Sequence, residues 1–274
     1  MLVSKHAMPV RIAVMKTLAF PKVLLIQAGL FWADAQANRD KLGAIVRTQA
    51  GDSDIVVFPE TFTSGFLGDV DSPAESMDGP TVAWMKELAA YMNCVLCGSA
   101  AIATPTGKAN RFLWVQPDGE VQFYDKHHLF GFGGEDDRYV AGSERKVFKY
   151  RGWRICPQIC YDLRFPVWCR NQDDYDMLIF VANWPEPRTY AWSALLKARA
   201  IENQCYVIGV NRSGSDPRGF TYAGASAIYT PLGEELLHLG DKETAKPARL
   251  ELREVANIRR KMPFQQDGDA FSLS

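Results

Sequence analysis

Residues 152–171, GWRICPQICYDLRFPVWCRN, decide how the chain is read. Trp153, Ile155, Pro157 and Ile159 alternate with Arg154, Cys156, Gln158 and Cys160, the period of a strand with its apolar side chains on one face. After Cys160 the alternation stops. Pro166, whose fixed φ suits a first helical turn, then opens a short helix over 166–171. Strand, thiol, tight turn and helix in that order lift a small nucleophile off a sheet and aim the next backbone N–H, that of Tyr161, at whatever it attacks. A cysteine so placed is either a buried structural thiol or a nucleophile.

Upstream, residues 22–28 read as a buried strand, and Leu42, Ile45, Val46 and Ala50 recur at helical spacing up to Gly51. Residues 55–58 form a short apolar strand stopped by Pro59, and Glu60 follows at once. Asp78-Gly79-Pro80 opens a second helix and 94–101 returns as a strand. Pro117-Asp118-Gly119 marks a hairpin between 111–116 and 120–124, at whose end stands Asp125-Lys126-His127-His128. The Gly131, Gly133, Gly134 run ahead of Glu135-Asp136-Asp137 reads as a mobile loop, without the glycine spacing of a phosphate cradle.

Downstream, 146–150 pairs with the Cys160 strand through Arg151-Gly152. Residues 176–182 form a buried strand ending at Asn183-Trp184-Pro185. Thr189 caps a helix bearing Trp192, Leu195, Leu196 and Ala200, and 205–210 is a strand followed by a loop over 211–214. A last hairpin over 222–229 and 235–239, a strand near 248–251 and a short helix to Lys261 complete the chain.

The alternation of β-α-β units with hairpins predicts an α/β fold, a mixed sheet system with helices outside it. No repeat or linker divides the 274 residues, so one domain is expected over 22–274, preceded by a flexible leader over 1–21 in which Met8 and Met15 are alternative starts. With 47% hydrophobic and 23% charged residues the chain reads as a folded, water-soluble protein. A formal charge of −1 argues against nucleic acid, and the absence of a long apolar run argues against a membrane. Six cysteines without a signal peptide predict reduced thiols in a cytoplasmic protein. Cys94-x-x-Cys97 lacks a second pair at zinc spacing, so no metal is expected.

Glu60, Lys126 and Cys160 each follow the C-terminal end of a predicted strand, the edge where α/β sites assemble. An unperturbed thiol is mostly protonated at neutral pH and needs a base; Glu60 supplies one, and the Lys126 ammonium can hold an oxyanion. A Cys-His pair using His127 or His128 is the rival scheme, but no block orienting the imidazole is evident.

Four blocks carry a family resemblance: VVFPETFTSGF (56–66), YDKHHLF (124–130), CYDLRFPVWCRN (160–171) and VANWPEPR (181–188). They resemble the Glu, Lys and Cys blocks of the nitrilase superfamily of carbon–nitrogen hydrolases, and within it the bacterial omega-amidase branch, from about Lys22 to the C-terminus. The resemblance implies a four-layer αββα sandwich, often packed as a homodimer or larger homo-oligomer. It implies Glu60 as general base, Lys126 as oxyanion stabiliser, Cys160 as nucleophile and Glu135 as the second glutamate, although Asp136 and Asp137 stand beside it. It implies a small-molecule amide substrate, the ω-amide of a 2-oxo acid, and no cofactor. Other amide, carbamoyl or nitrile substrates use the same three groups, and a non-catalytic binding relative would keep the fold alone. Such a substrate carries a distant carboxylate, for which Arg164, Arg188 and Arg212 are candidates. Tyr161, Asn183, Phe66 and Trp184 complete the expected pocket.

Overall fold

The computed structural model describes residues 19–66 and 74–273. The first half runs β1 (Lys22–Gln27), α1 (Ala35–Gln49), β2 (Ile55–Val57), α2 (Pro80–Met92), β3 (Val95–Thr104), β4 (Gly107–Val115) and β5 (Val121–Asp125). The second runs β6 (Phe148–Tyr150), β7 (Trp153–Ile159), α3 (Pro166–Cys169), β8 (Met177–Ala182), α4 (Thr189–Asn203) and β9 (Tyr206–Asn211). Then come β10 (Ser213–Ser215), β11 (Thr221–Ala223), β12 (Ala227–Tyr229), β13 (Glu235–His238), β14 (Thr244–Arg249) and α5 (Leu252–Lys261).

Local chemistry sets the helix ends. The Asp34 carboxylate accepts from Ala37 N at 2.9 Å and starts α1. Pro80 occupies the first turn of α2, and Asn93 ends it in the left-handed conformation at φ +52°. Thr189 does not cap α4 as the sequence suggests. It lies inside the first turn, and its hydroxyl donates back to Glu186 O at 2.7 Å.

Two six-stranded sheets form, in the orders β14-β1-β2-β3-β4-β5 and β13-β12-β9-β8-β7-β6. In the first, β1, β2 and β3 are parallel; in the second, β7, β8 and β9 are. Because β4 is antiparallel to both β3 and β5, β5 also runs in the direction of β2 and β3. The C-terminal ends of β2 and β5 therefore share one rim.

Three apolar layers hold these parts together. Leu25, Val57, Cys97 and Trp114 of the first sheet meet Ile155, Ile159, Ile179 and Ile208 of the second. On the outside, Leu24, Val56 and Leu96 pack under Leu42 and Val46 of α1 and Met85 and Leu88 of α2. Leu178, Phe180 and Val207 pack under Trp192, Leu196 and Ala200 of α4. The result is the expected αββα sandwich.

The alternation in β7 therefore separates two cores rather than core from solvent: Ile155 and Ile159 face the other sheet, while Cys156 faces the α4 side. Cys94 and Cys97 are divided in the same way between the helix-covered and inter-sheet layers, and all six cysteines are free thiols. The helix after Cys160 is shorter than the sequence suggests, ending at Cys169. The segment read as a loop at 211–214 carries β10, paired with β11, and the strand expected over 222–229 is broken at Gly224 and Ala225, both at positive φ. The expected leader lies outside the described residues up to residue 18; Ala19 O and Pro21 O accept from Leu252 N and Leu250 N. No helix among the described residues is long and apolar enough to cross a membrane.

Candidate active site

Glu60 leaves β2 through Phe58 and Pro59 and is fully buried. Its Oε1 accepts from Lys126 Nζ and from Asn110 Nδ2, each at 2.9 Å. Its Oε2 accepts from Asn183 N at 2.8 Å and Asn183 Nδ2 at 3.2 Å. Asn183 follows β8 of the other sheet, and its amide also donates to Glu60 O at 2.9 Å and Thr61 Oγ1 at 3.0 Å. One residue thus fixes the carboxylate across the sheet interface.

Lys126 leaves β5 at the same rim and is buried between two carboxylates, with Glu135 Oε2 at 2.8 Å. The glycines read as a mobile loop form a 3-10 turn, Gly131–Gly133, that brings Glu135 inward. There Glu135 accepts from Phe130 N at 2.7 Å and Asn110 Nδ2 at 3.0 Å. Of the three neighbouring acids it is Glu135 that stands beside the lysine; Asp136 and Asp137 are exposed. Burial works against the Lys126 ammonium, but Glu135 and then Glu60 outweigh it and hold its pKa well above that of a free lysine. Burial also pushes Glu135 up, with Lys126 pulling against it.

Cys160 begins a 3-10 turn, Cys160–Arg164, at the end of β7. Its φ of +45° is uncommon for a residue with a side chain and throws the thiol out of the strand direction. Burial, then the charge of Glu60, pushes the thiol well above its usual range, against the pull of Lys126. At neutral pH it rests protonated.

A cavity of about 340 Å³ opens onto Cys160, Glu60 and Lys126. Phe66, Tyr161, Asn183, Trp184, Arg164 and Arg188 line it, as the sequence leads one to expect. The sequence alone does not mark Phe130, Phe132, Arg218, Phe220 and Tyr222, which come from the glycine turn, the loop ahead of β11 and β11 itself. Arg164 lies over Trp184 at 4.8 Å and Arg188 over Phe130 at 5.5 Å, and neither has a carboxylate partner among the described residues. Arg218 pairs with Asp216 at 3.1 Å. Arg212 is not at the cavity. It is buried, donates to Ser215 O at 3.0 Å, and its guanidinium lies over Tyr222 at 4.4 Å.

The two histidines do not line the cavity either. His127 stacks on Trp168 with its Nδ1 at 2.6 Å from Gly142 O, and His128 stacks on Phe165 with its Nδ1 at 2.9 Å from Asp162. Among the described residues the arrangement lacks the imidazole that a Cys-His pair requires. It offers instead a protonated thiol, a carboxylate to receive its proton and an ammonium to face a developing oxyanion.

Comparison with known proteins gives the family. Residues 22–260 match the carbon-nitrogen hydrolase family model. Omega-amidase YafV of Yersinia enterocolitica is 45% identical over 253 residues, 92% of this chain and 98% of that protein. The 2-oxoglutaramate amidase of Bacillus subtilis is 32% identical over 88% of this chain and 95% of its own length. Among solved structures, XC1258 of Xanthomonas campestris, a CN-hydrolase superfamily protein with an arsenic adduct in its active site, superposes with a TM-score of 0.91 at 46% identity. The match covers 93% of this chain and 99% of that one. With the sandwich and the family match in agreement, the chain belongs to the carbon-nitrogen hydrolase family, hydrolases of C–N amide bonds.

Proposed function

We propose that this enzyme is an omega-amidase that hydrolyses the ω-amide of 2-oxo acids such as 2-oxoglutaramate and 2-oxosuccinamate to the dicarboxylate and ammonia. The observation that carries the reading is one cavity holding both Cys160 and two guanidinium groups, Arg164 and Arg188, without carboxylate partners among the described residues. An amide whose far end is a carboxylate satisfies both halves. The similarity to YafV and to the Bacillus amidase supports the same substrate class.

In this scheme Glu60 takes the Cys160 proton as Sγ bonds to the amide carbon. The carbonyl electrons move to oxygen, which faces the Lys126 ammonium and the Tyr161 N–H. As the C–N bond breaks, Glu60 returns its proton to nitrogen and ammonia leaves a thioester on Cys160. Water then adds to the thioester carbon, giving its proton to Glu60. The C–S bond breaks, the carboxylate departs and the thiol is restored. Glu135 keeps Lys126 charged and in place. No step calls on a cofactor.

A second reading has its own support. Phe66, Phe130, Phe132, Tyr161, Trp184, Phe220 and Tyr222 wall the cavity, which suits a bulkier apolar amide. Ammonia release should be measured from 2-oxoglutaramate, glutamine, asparagine, a phenyl-substituted amide and a simple nitrile, with Cys160→Ala beside the parent. The 2-oxo ω-amide turned over best, and only by the parent, supports the proposal. Preference for the aryl amide replaces it with the second reading.

We also take the enzyme to act in the cytoplasm as a homodimer. Six free thiols support the first, and the exposed Tyr190 and Ile201 of α4 support the second. Light scattering of the purified protein tests the dimer.

A further inference from the structure

His127, His128 and Asp162 have no place in the reaction scheme, yet they are closely tied together. Asp162 is fully buried, and its carboxylate accepts four hydrogen bonds. Oδ1 receives His128 N at 3.0 Å and His128 Nδ1 at 2.9 Å. Oδ2 receives Ile159 N at 3.0 Å and the Tyr124 hydroxyl at 2.8 Å. A carboxylate only accepts, so His128 carries a proton on Nδ1. The Tyr124 hydroxyl itself accepts from His127 N at 3.2 Å and Trp168 Nε1 at 3.1 Å. Burial, reinforced by Asp162, holds this phenol well above its usual pKa, so it keeps its proton and donates.

The donors come from two places. Tyr124 and His128 flank Lys126, and Ile159 precedes Cys160. Ring stacking joins the same two segments, His127 on Trp168 at 3.7 Å and His128 on Phe165 at 3.6 Å between centroids. β5 and β7 belong to different sheets, so no ladder hydrogen bond sets the distance between their ends. Some group crossing between the sheets has to do so.

We propose that Asp162 is a positioning residue for catalysis, with His128 as its partner: by accepting from both segments it sets where the Lys126 ammonium stands relative to the Cys160 thiol. The inference rests on reading Cys160 as nucleophile and Lys126 as oxyanion donor. Its consequence is a loss in the chemical step rather than in binding, since a misplacement of about 1 Å can cost about 10²-fold in rate.

The test compares His128→Asn, whose Nδ2 falls where the histidine Nδ1 stands, with His128→Ala, which has no donor there. Both lose the stack on Phe165, so their difference isolates the hydrogen bond to Asp162. The substrate is whichever amide of the panel the parent turns over, with Cys160→Ala as the blank and thermal melting recorded for each protein. His128→Asn is expected to stay within about 3-fold of the parent kcat, while His128→Ala falls by about 10-fold or more with KM within about 3-fold. Asp162→Asn, which cannot accept on both sides, is expected to fall by about 10²-fold in kcat. Equal kcat in the two His128 variants, or a loss confined to KM, overturns the proposal. Turnover by the Cys160→Ala blank overturns the reading beneath it, and shows before any His128 variant is compared.

Discussion

The Lys126 ammonium lies 2.9 Å from Glu60 Oε1, and each side chain is only 1% exposed. Two carboxylates and one ammonium are shut away together once Glu135 is counted. Removing the ammonium leaves two buried carboxylates uncompensated. Lys126→Met should therefore lose about 3–5 kcal/mol of stability by chemical denaturation, and kcat should drop by about 10³-fold with the oxyanion donor gone. Cys160→Ala, equally inactive, should keep close to the parent stability because its charges stay paired.

Asn110 Nδ2 donates to both Glu60 Oε1 and Glu135 Oε1. Asn110→Asp would replace that donor with a negative acceptor facing two carboxylates. A like charge disfavours ionisation, so the Glu60 carboxylate should hold its proton to higher pH. The acid limb of the kcat/KM profile should shift upward; an unmoved limb would detach Asn110 from the base.

Because burial and Glu60 push the Cys160 thiol well above its usual range, thiolate is scarce at pH 7. Alkylation by iodoacetamide should then depend on Glu60 as the proton acceptor. Glu60→Gln removes the proton acceptor together with a charge that raises the thiol, so its rate should follow the thiolate fraction alone and rise roughly tenfold per pH unit while the pH stays below the thiol pKa. The parent should show a flatter profile. Identical profiles would remove Glu60 from the proton path.

A Cβ on Gly142 would stand 2.2 Å from Asp125 O, and Gly142 N donates to Lys126 O at 2.8 Å. Gly142→Ala must push the end of β5 aside. About 1–3 kcal/mol of stability should go, as in other overpacked sites, and kcat should fall more than KM rises.

Much of this site is legible in the sequence because Glu60, Lys126 and Cys160 each stand at the end of a strand whose apolar pattern is plain. Glu135 is legible only through the family resemblance. Asn110 is not, because it sits within β4 opposite Ala101, where no break in pattern marks a polar residue bonded to both glutamates. Asp162 reads as a turn residue, because three of its four donors come from Tyr124 and His128, far along the chain, and only Ile159 N is local. β10 escapes notice because Ser213-Gly214-Ser215 carries no apolar alternation, β11 is read as the start of one longer strand, and the burial of both faces of β7 follows from a second sheet that its own residues do not announce.

In this mechanism the amide carbon becomes bonded to Cys160 Sγ. Mixing the enzyme with 2-oxoglutaramate, quenching in acid within the first turnover and weighing the Cys160 peptide tests it most directly. An acyl adduct on that peptide, absent from Cys160→Ala and decaying at the rate of product release, is the predicted result. Turnover with an unmodified Cys160 peptide at every quench time, or turnover by Cys160→Ala, would contradict it.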